Sequence, residues 1–302
     1  MPTPIGNIGD ITLRALEILK AVDLIAAEDT RHSRTLLTHY DISTPLVSFH
    51  EHSENRVVEQ LADRVAAGES IALISDAGTP LVSDPGYALV RGVQARGLTV
   101  IPLPGACAAI TALSAAGLPT HHFHFEGFLP AKQVARVKRL EAIKSLNTTV
   151  IFYEAPHRIV DLITDMLAVF GVDHEICLAR ELTKTFETIR RAPLGDIREW
   201  VLNDANQQKG EFVVISGLVV QTTTHLDELV VKPADASGGY GIMVGPHATD
   251  EEIVARRAEI LENPRVWIAQ PTLAISTTLT VTEDGDLAPR HADLRPFVLQ
   301  SS

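Results

Sequence analysis

Two carboxylates, Asp76 and Asp84, stand in the run Ser75-Asp76-Ala77-Gly78-Thr79-Pro80-Leu81-Val82-Ser83-Asp84-Pro85-Gly86, which follows directly on the apolar stretch Ile71-Ala72-Leu73-Ile74. Acidic side chains and unhindered backbone at the carboxyl edge of a sheet are where open α/β folds bind small ligands, so this loop reads as a small-molecule site. The plainer account is a pair of turns, since Asp, Gly and Pro are ordinary turn residues. Pro104-Gly105-Ala106-Cys107-Ala108-Ala109 offers a second small-residue turn, opening a helix where backbone can approach a ligand closely. Asp29 and Arg31 follow the apolar run Leu24-Ile25-Ala26-Ala27, again at a strand end, where a functional pair competes with a surface ion pair. His50-Glu51-His52 and His121-His122-Phe123-His124 contain metal-ligating types, but neither has the helical i, i+4 spacing of a zinc motif. Solvated loop histidines are the simpler reading, and no metal is expected. Lys132, Arg136, Lys138, Arg139 and Lys144 give a basic helix, either a solvated face or a contact for a phosphate backbone.

The elements that must carry these residues alternate. Helices are expected over 11–22, 34–39, 54–67, 87–95 and 106–116, with strands at 24–27, 46–49, 71–74 and 99–103. That rhythm predicts a mainly parallel sheet covered on both faces. After Gly117-Leu118-Pro119 a second unit follows, with helices at 131–145, 157–170 and 194–201 and strands at 149–153, 175–179 and 211–216. Residues 1–117 and 118–218 are thus expected to be two α/β domains with a cleft between them. A Thr-rich linker at 219–228 and a third segment at 229–302 come after.

The chain has 302 residues, 45% of them hydrophobic, enough for more than one core. Cys107 and Cys177 form no disulfide framework and are expected as buried thiols, which points to a reducing compartment. No apolar run approaches the roughly 18 to 20 residues of a spanning helix, and the start Met1-Pro2-Thr3-Pro4 lacks the pattern of a signal peptide, so the cytoplasm is expected. The net charge of −12 argues against indiscriminate nucleic-acid binding while leaving local basic faces open.

Five segments occur in an order that resembles a known family: Thr3 to Thr12, Ala27-Glu28-Asp29-Thr30-Arg31-His32-Ser33, the Ser75 to Gly86 loop, Phe152 to Arg158, and Ala179-Arg180-Glu181-Leu182-Thr183-Lys184. Over residues 2–217 the chain is similar to the small-subunit ribosomal RNA methyltransferases of the tetrapyrrole methylase-like (class III) S-adenosylmethionine enzymes. The resemblance implies an α/β fold of two domains with the cofactor in the cleft between them. It also implies 2′-O-methylation of a cytidine ribose in 16S rRNA of the small ribosomal subunit, by a cytoplasmic homodimer. Carried over, the S-adenosylmethionine site would use Pro4, Asp76, Ala77, Gly78, Thr79, Pro104, Gly105, Ala106, Cys107, Ala108, Tyr153, Glu154, Ala179 and Arg180. Methyl transfer depends on in-line positioning, and a ribose hydroxyl needs a base. Glu28 and Asp29 are the candidates for that base, with Arg31, Arg158 and Lys184 holding phosphates or developing charge.

The family normally has a short strand before its Thr-Pro-Ile-Gly-Asn segment, and its absence here is expected to cost the first sheet ladder hydrogen bonds. The tail resembles part of the circularly permuted ATP-grasp proteins through Leu229 to Pro233, Ser237-Gly238-Gly239-Tyr240-Gly241, Ile268 to Pro271 and Ala288 to Phe297. That implies an appended α+β fragment in which Lys232 and the glycine loop would meet ATP phosphates, with Arg290, Asp293 and Arg295 facing the ligand. The alternatives to RNA methylation are methylation of a tetrapyrrole or other small molecule, an ATP-grasp-like ligase or nucleotide-binding role for the tail, and an inactive fusion.

Overall fold

Strand β1 (Leu24–Ala27) is buried along its whole length, a continuous apolar run rather than an alternating one, as a central parallel strand requires. It follows helix α1 (Leu13–Ala21), whose first turn is capped by the Thr12 hydroxyl accepting the Ala15 N–H at 3.1 Å. Helix α2 (Thr30–His39), strand β2 (Leu46–Ser48), helix α3 (Asn55–Ala66) and strand β3 (Ile71–Ile74) complete a three-stranded parallel sheet in the order β2-β1-β3. Ile25 stands opposite Leu46 on one side and Ala72 on the other. Helix α4 (Tyr87–Ala95) packs with α3 against one face, around Leu61, Leu89 and Val93, and α1 covers the other through Ala15 and Leu19.

This computed structural model describes residues 1–50, 55–146, 148–217, 226–233, 241–262, 266–271, 277–281 and 287–291. The chain divides into two units, Met1–Val219 and Val220–Ser302.

The rest of the first unit is built on a second sheet. Helix α5 (Ala108–Ala115), strand β4 (Phe123–Phe128), helix α6 (Gln133–Lys144), strand β5 (Thr149–Glu154) and helix α7 (Ile159–Phe170) are followed by strands β6 (Glu175–Arg180) and β7 (Thr188–Pro193), helix α8 (Leu194–Asn203) and strand β8 (Phe212–Ser216). The sheet order is β4-β5-β8-β6-β7. Its larger core gathers Phe152, Leu162, Met166 and Leu178 under α6, α7 and α8. On the opposite face Ala109, Ala112 and Leu113 of α5 pack on Ile151, Cys177 and Ile215.

Several expectations are corrected here. Residues 99–103 form no strand: Pro102 and Pro104 offer no N–H to a ladder, and Ile101 is 65% exposed. The second sheet, unlike the first, is mixed, with β4 and β5 parallel and the remaining pairs antiparallel. Strands β4 and β7 went unanticipated, because β4 carries a register shift between Phe125 and Gly127 and β7 is an edge strand bearing Arg190 and Arg191. Cys177 is buried, but Cys107 is only half-buried. The basic helix is not a free face: Arg136 is buried and pairs with Asp165 at 2.7 Å, Arg139 pairs with Glu126 at 2.6 Å, and Lys144 donates to the Val169 carbonyl.

The second unit holds a three-stranded antiparallel sheet, order β10-β9-β11, from β9 (Leu229–Pro233), β10 (Met243–Val244) and β11 (Trp267–Pro271). Helix Asp250–Glu262 covers it through Ile260, which meets Leu226, Val231 and Met243. Thr249 and Glu252 close that helix's N-terminus reciprocally, and Arg256 stacks over Trp267 at 4.2 Å. A two-stranded antiparallel pair, β12 (Thr277–Val281) and β13 (Leu287–His291), lies further along the chain. Most of the linker, the glycine loop except Gly241, and the expected Asp293 and Arg295 lie outside the described residues.

Candidate active site

Loops at the carboxyl ends of β1 and β3 are tied to one another and to the N-terminal segment. Thr3 and Gly78 exchange both backbone hydrogen bonds, at 2.9 and 3.0 Å. The Thr79 hydroxyl donates to the Ala106 carbonyl at 2.9 Å, fixing the second small-residue turn against the first. At the β1 end, the Asp29 N–H donates to Asp76 Oδ1 at 3.0 Å and the Asp76 N–H to Glu28 Oε2 at 3.4 Å. Gly105 has no room for a side chain, because a Cβ there would come within 2.6 Å of Pro2 Cβ.

Opposite these loops stand the ends of β5 and β8, and between them lies a cavity of about 370 Å³. Its walls are mostly apolar, which suits a small organic ligand held by a few polar groups. The Tyr153 hydroxyl accepts the Ala109 N–H at 3.1 Å, its ring meets Phe125 and Phe128 edge-on, and burial pushes the phenol well above its ordinary range. The Glu154 side chain is 0% exposed. Its Oε1 accepts the Ala155 N–H at 2.9 Å and lies 3.2 Å from Arg158 Nε, while Oε2 is buried with no hydrogen-bond partner among the described residues. Burial raises its carboxyl, and the Ala155 N–H and Arg158 oppose that rise. A buried carboxylate oxygen left without a donor is costly.

Two loops flank the cavity with the same backbone device. Leu81 and Ser83 are left-handed at φ 71° and 66°, as are Glu181 and Thr183 at 52° and 65°. In each case the residue between, Val82 or Leu182, lines the cavity. Non-glycine residues in this region cost of order 1–3 kcal/mol each and collect at functional sites. Gly127 in β4 lies beneath the first of these loops, close enough that a Cβ would meet Ser83 Oγ at 3.1 Å.

The expected residues separate into three groups. Ala77, Gly78, Thr79, Cys107, Ala108, Tyr153 and Glu154 line the cavity. Pro4, Asp76, Pro104, Gly105 and Ala106 belong to the same knot of loops without lining it. The others do structural work. Ala179 is in the core, and Arg180 spends its guanidinium on Lys209, Phe186 and Thr188. Asp29 caps α2 by accepting the Arg31 N–H at 2.8 Å, and Arg31 itself is exposed. Arg158 donates to the Leu129 and Pro130 carbonyls, and Lys184 bridges Glu181 and Glu211 at 2.9 and 2.8 Å. Sequence reasoning missed Asp84, Phe128, Leu182 and Val213 as wall residues. Asp84 was legible inside the acidic loop, whereas the other three depend on how the second sheet folds.

Asp84 lines the cavity, and the Glu28 and Asp76 carboxylates behind it are near enough to act on it. Desolvation chiefly, with the Glu28 and Asp76 charges adding, raises the Asp84 carboxyl to about 6 against a hydrogen bond from Ser75 that lowers it. Such a site favours a ligand carrying positive charge. Among the described residues no group of three or more His, Cys, Asp or Glu is placed to hold a metal; His124 bonds Glu126, and Glu51 and His52 lie outside them.

Residues 2–198 match the family described as Tetrapyrrole (Corrin/Porphyrin) Methylases, and residues 217–302 match Circularly permuted ATP-grasp type 2. The chain is 55% identical over 215 residues to Ribosomal RNA small subunit methyltransferase I of Vibrio cholerae, covering 71% of this chain and 75% of that one. It is 56% identical to the protein of that name from Escherichia coli O157:H7, over the same shares, and 49% identical to that of Halalkalibacterium halodurans, covering 70% and 73%. In fold it resembles the crystal structures of diphthine synthase (TM-score 0.55, 14% identity, 71% and 87% covered) and of cobalt precorrin-4 methyltransferase (0.53, 14%, 72% and 92%).

Proposed function

Because the chain belongs to the tetrapyrrole methylase family, we propose that it transfers a methyl group from S-adenosylmethionine to the 2′-hydroxyl of a cytidine ribose in small-subunit ribosomal RNA. The observation that carries this reading is an apolar cavity walled by Ala77, Gly78, Thr79, Cys107, Ala108 and Tyr153, closed by the loops that the ordered motifs supply. The donor fits that wall chemically: it is a cation beside the half-buried Asp84 carboxylate, with an apolar body for Tyr153, Leu182 and Val213. When bound it supplies an electrophilic methyl group. Residues Ala77 to Thr79, Cys107 and Ala108 contribute backbone at close range, with Pro4, Asp76, Pro104, Gly105 and Ala106 holding those turns in place.

The cleft lies between 1–117 and 118–218, which we take as the two domains. Ala179 and Arg180 support it from the β6 end, and Arg158 and Lys184 fix its rim through their carbonyl and carboxylate partners. Arg31, exposed at the start of α2, is assigned to RNA phosphate. The relatives' names support the RNA acceptor, a homodimer in the cytoplasm is the assembly we assign, and among the described residues no helix is long and apolar enough to cross a membrane.

Calorimetric titration with S-adenosylmethionine tests the cofactor: one site per chain is expected, and no heat of binding sinks the reading. Methylation of 30S subunits measured against a porphyrinogen tests the acceptor. Transfer to the porphyrinogen alone replaces RNA with a tetrapyrrole.

A further inference from the structure

The carboxylates expected to act as base do not line the cavity. Asp29 is exposed and its Oδ1 is engaged as the cap of α2, and Glu28 accepts the Asp76 N–H. Glu154 does line it, but lies beside the Arg158 cation. Asp84 lines the cavity, is half-buried, and follows the left-handed pair Leu81 and Ser83 in a loop that rests on Gly127 of β4.

Resting on the methyltransferase reading above, we propose that Asp84 is the general base for transfer to the acceptor hydroxyl. As the new O–CH₃ bond forms, the C–S bond of the sulfonium donor breaks with its electron pair going to sulfur, and the hydroxyl proton passes to the Asp84 carboxylate. The products are a methyl ether, a neutral thioether and a protonated Asp84 that returns its proton to solvent.

The groups facing Asp84 suit that task. Glu28 at the end of β1 and Asp76 in the same loop are negative, Ser75 beneath it hydrogen-bonds to it, and Tyr153 on β5 stays protonated. A carboxyl at about 6 is ionised at neutral pH yet far more basic than an ordinary aspartate, which is what a general base requires. The acidic neighbours that would repel an anion are tolerable beside a cationic donor. The same desolvation costs the folded state stability while Asp84 is ionised.

The test compares wild type, Asp84→Asn and Asp84→Glu in single-turnover methylation of 30S subunits lacking the modification. Asp84→Asn is expected to lose about 10²- to 10⁴-fold in rate while its calorimetric affinity for S-adenosylmethionine changes less than about 3-fold. Asp84→Glu should recover part of the rate. The wild-type rate should rise with pH through about 6 and then level off, and this limb should vanish in Asp84→Asn. A readout independent of activity is the melting temperature, which should be higher for Asp84→Asn than for wild type at pH 7.5, with the gap closing near pH 4. A wild-type-like rate in Asp84→Asn, or a wild-type profile flat through pH 6, overturns the assignment. Wild type that binds donor but methylates neither 30S RNA nor any acceptor overturns the function itself.

Discussion

The two sheets of the first unit divide stability from chemistry. The three-stranded sheet has strands of three and four residues, and most of the acidic, turn-forming side chains lie in the loops beyond them. Strands of the five-stranded sheet run five or six residues and enclose a core including Phe152, Met166 and the buried Arg136–Asp165 pair. One sheet therefore presents its loop ends, and the other supplies a rigid wall against which they close. A site preorganised in this way needs one side that does not yield.

Substitution and pH can pull the two regions apart. Asp165→Ala should be the most damaging change, costing about 3–5 kcal/mol in denaturant unfolding, because it strands the Arg136 charge in the core. The double change Arg136→Met with Asp165→Leu should recover most of that loss; if it does not, the pair matters beyond its charge. Acid should weaken the five-stranded region next. Burial holds His174 at about 4, so its neutral form stabilises the fold fully above pH 6.5, and up to about 3 kcal/mol is lost as pH falls towards 4.

In the loops the sign reverses. Asp84, raised to about 6, penalises the fold above that pH and is relieved below it, so Asp84→Asn should gain about 1–2 kcal/mol at pH 7.5 after solvent screening is allowed for. A stability profile in which both groups respond to acid alike would erase the contrast. Smallest is Thr79→Val, which removes the hydroxyl bond to the Ala106 carbonyl: about 1 kcal/mol of stability, read by thermal unfolding, with calorimetry expected to show a several-fold weaker donor affinity.

The alternation of helix and strand through residue 95 was legible because each element carries its own period, and β1 and β3 appear where their apolar runs stand. The loop from Ser75 to Gly86 was legible for the same reason, as polar residues behind an apolar run. What could not be read was set by partners distant in sequence. Residues 99–103 have strand-forming side chains but a proline within them, another just after, and no ladder, whereas β4 pairs with β5 despite its glycine. Leu182 and Val213 look like any core residues until the second sheet brings them to the cavity. Arg136 shows the same limit, since nothing in its helix announces that Asp165, 29 residues away, will bury it.

The paired left-handed residues around Val82 and Leu182 carry an instruction for engineering. Where backbone hand alternates residue by residue, the identity of the inward-facing side chain depends on loop length. In the second loop, where Leu182 lines the cavity and Glu181 and Thr183 do not, adding or removing one residue would hand that position to its neighbour. Libraries meant to retune the ligand should therefore vary Val82 and Leu182 in place and keep both loops at their present length.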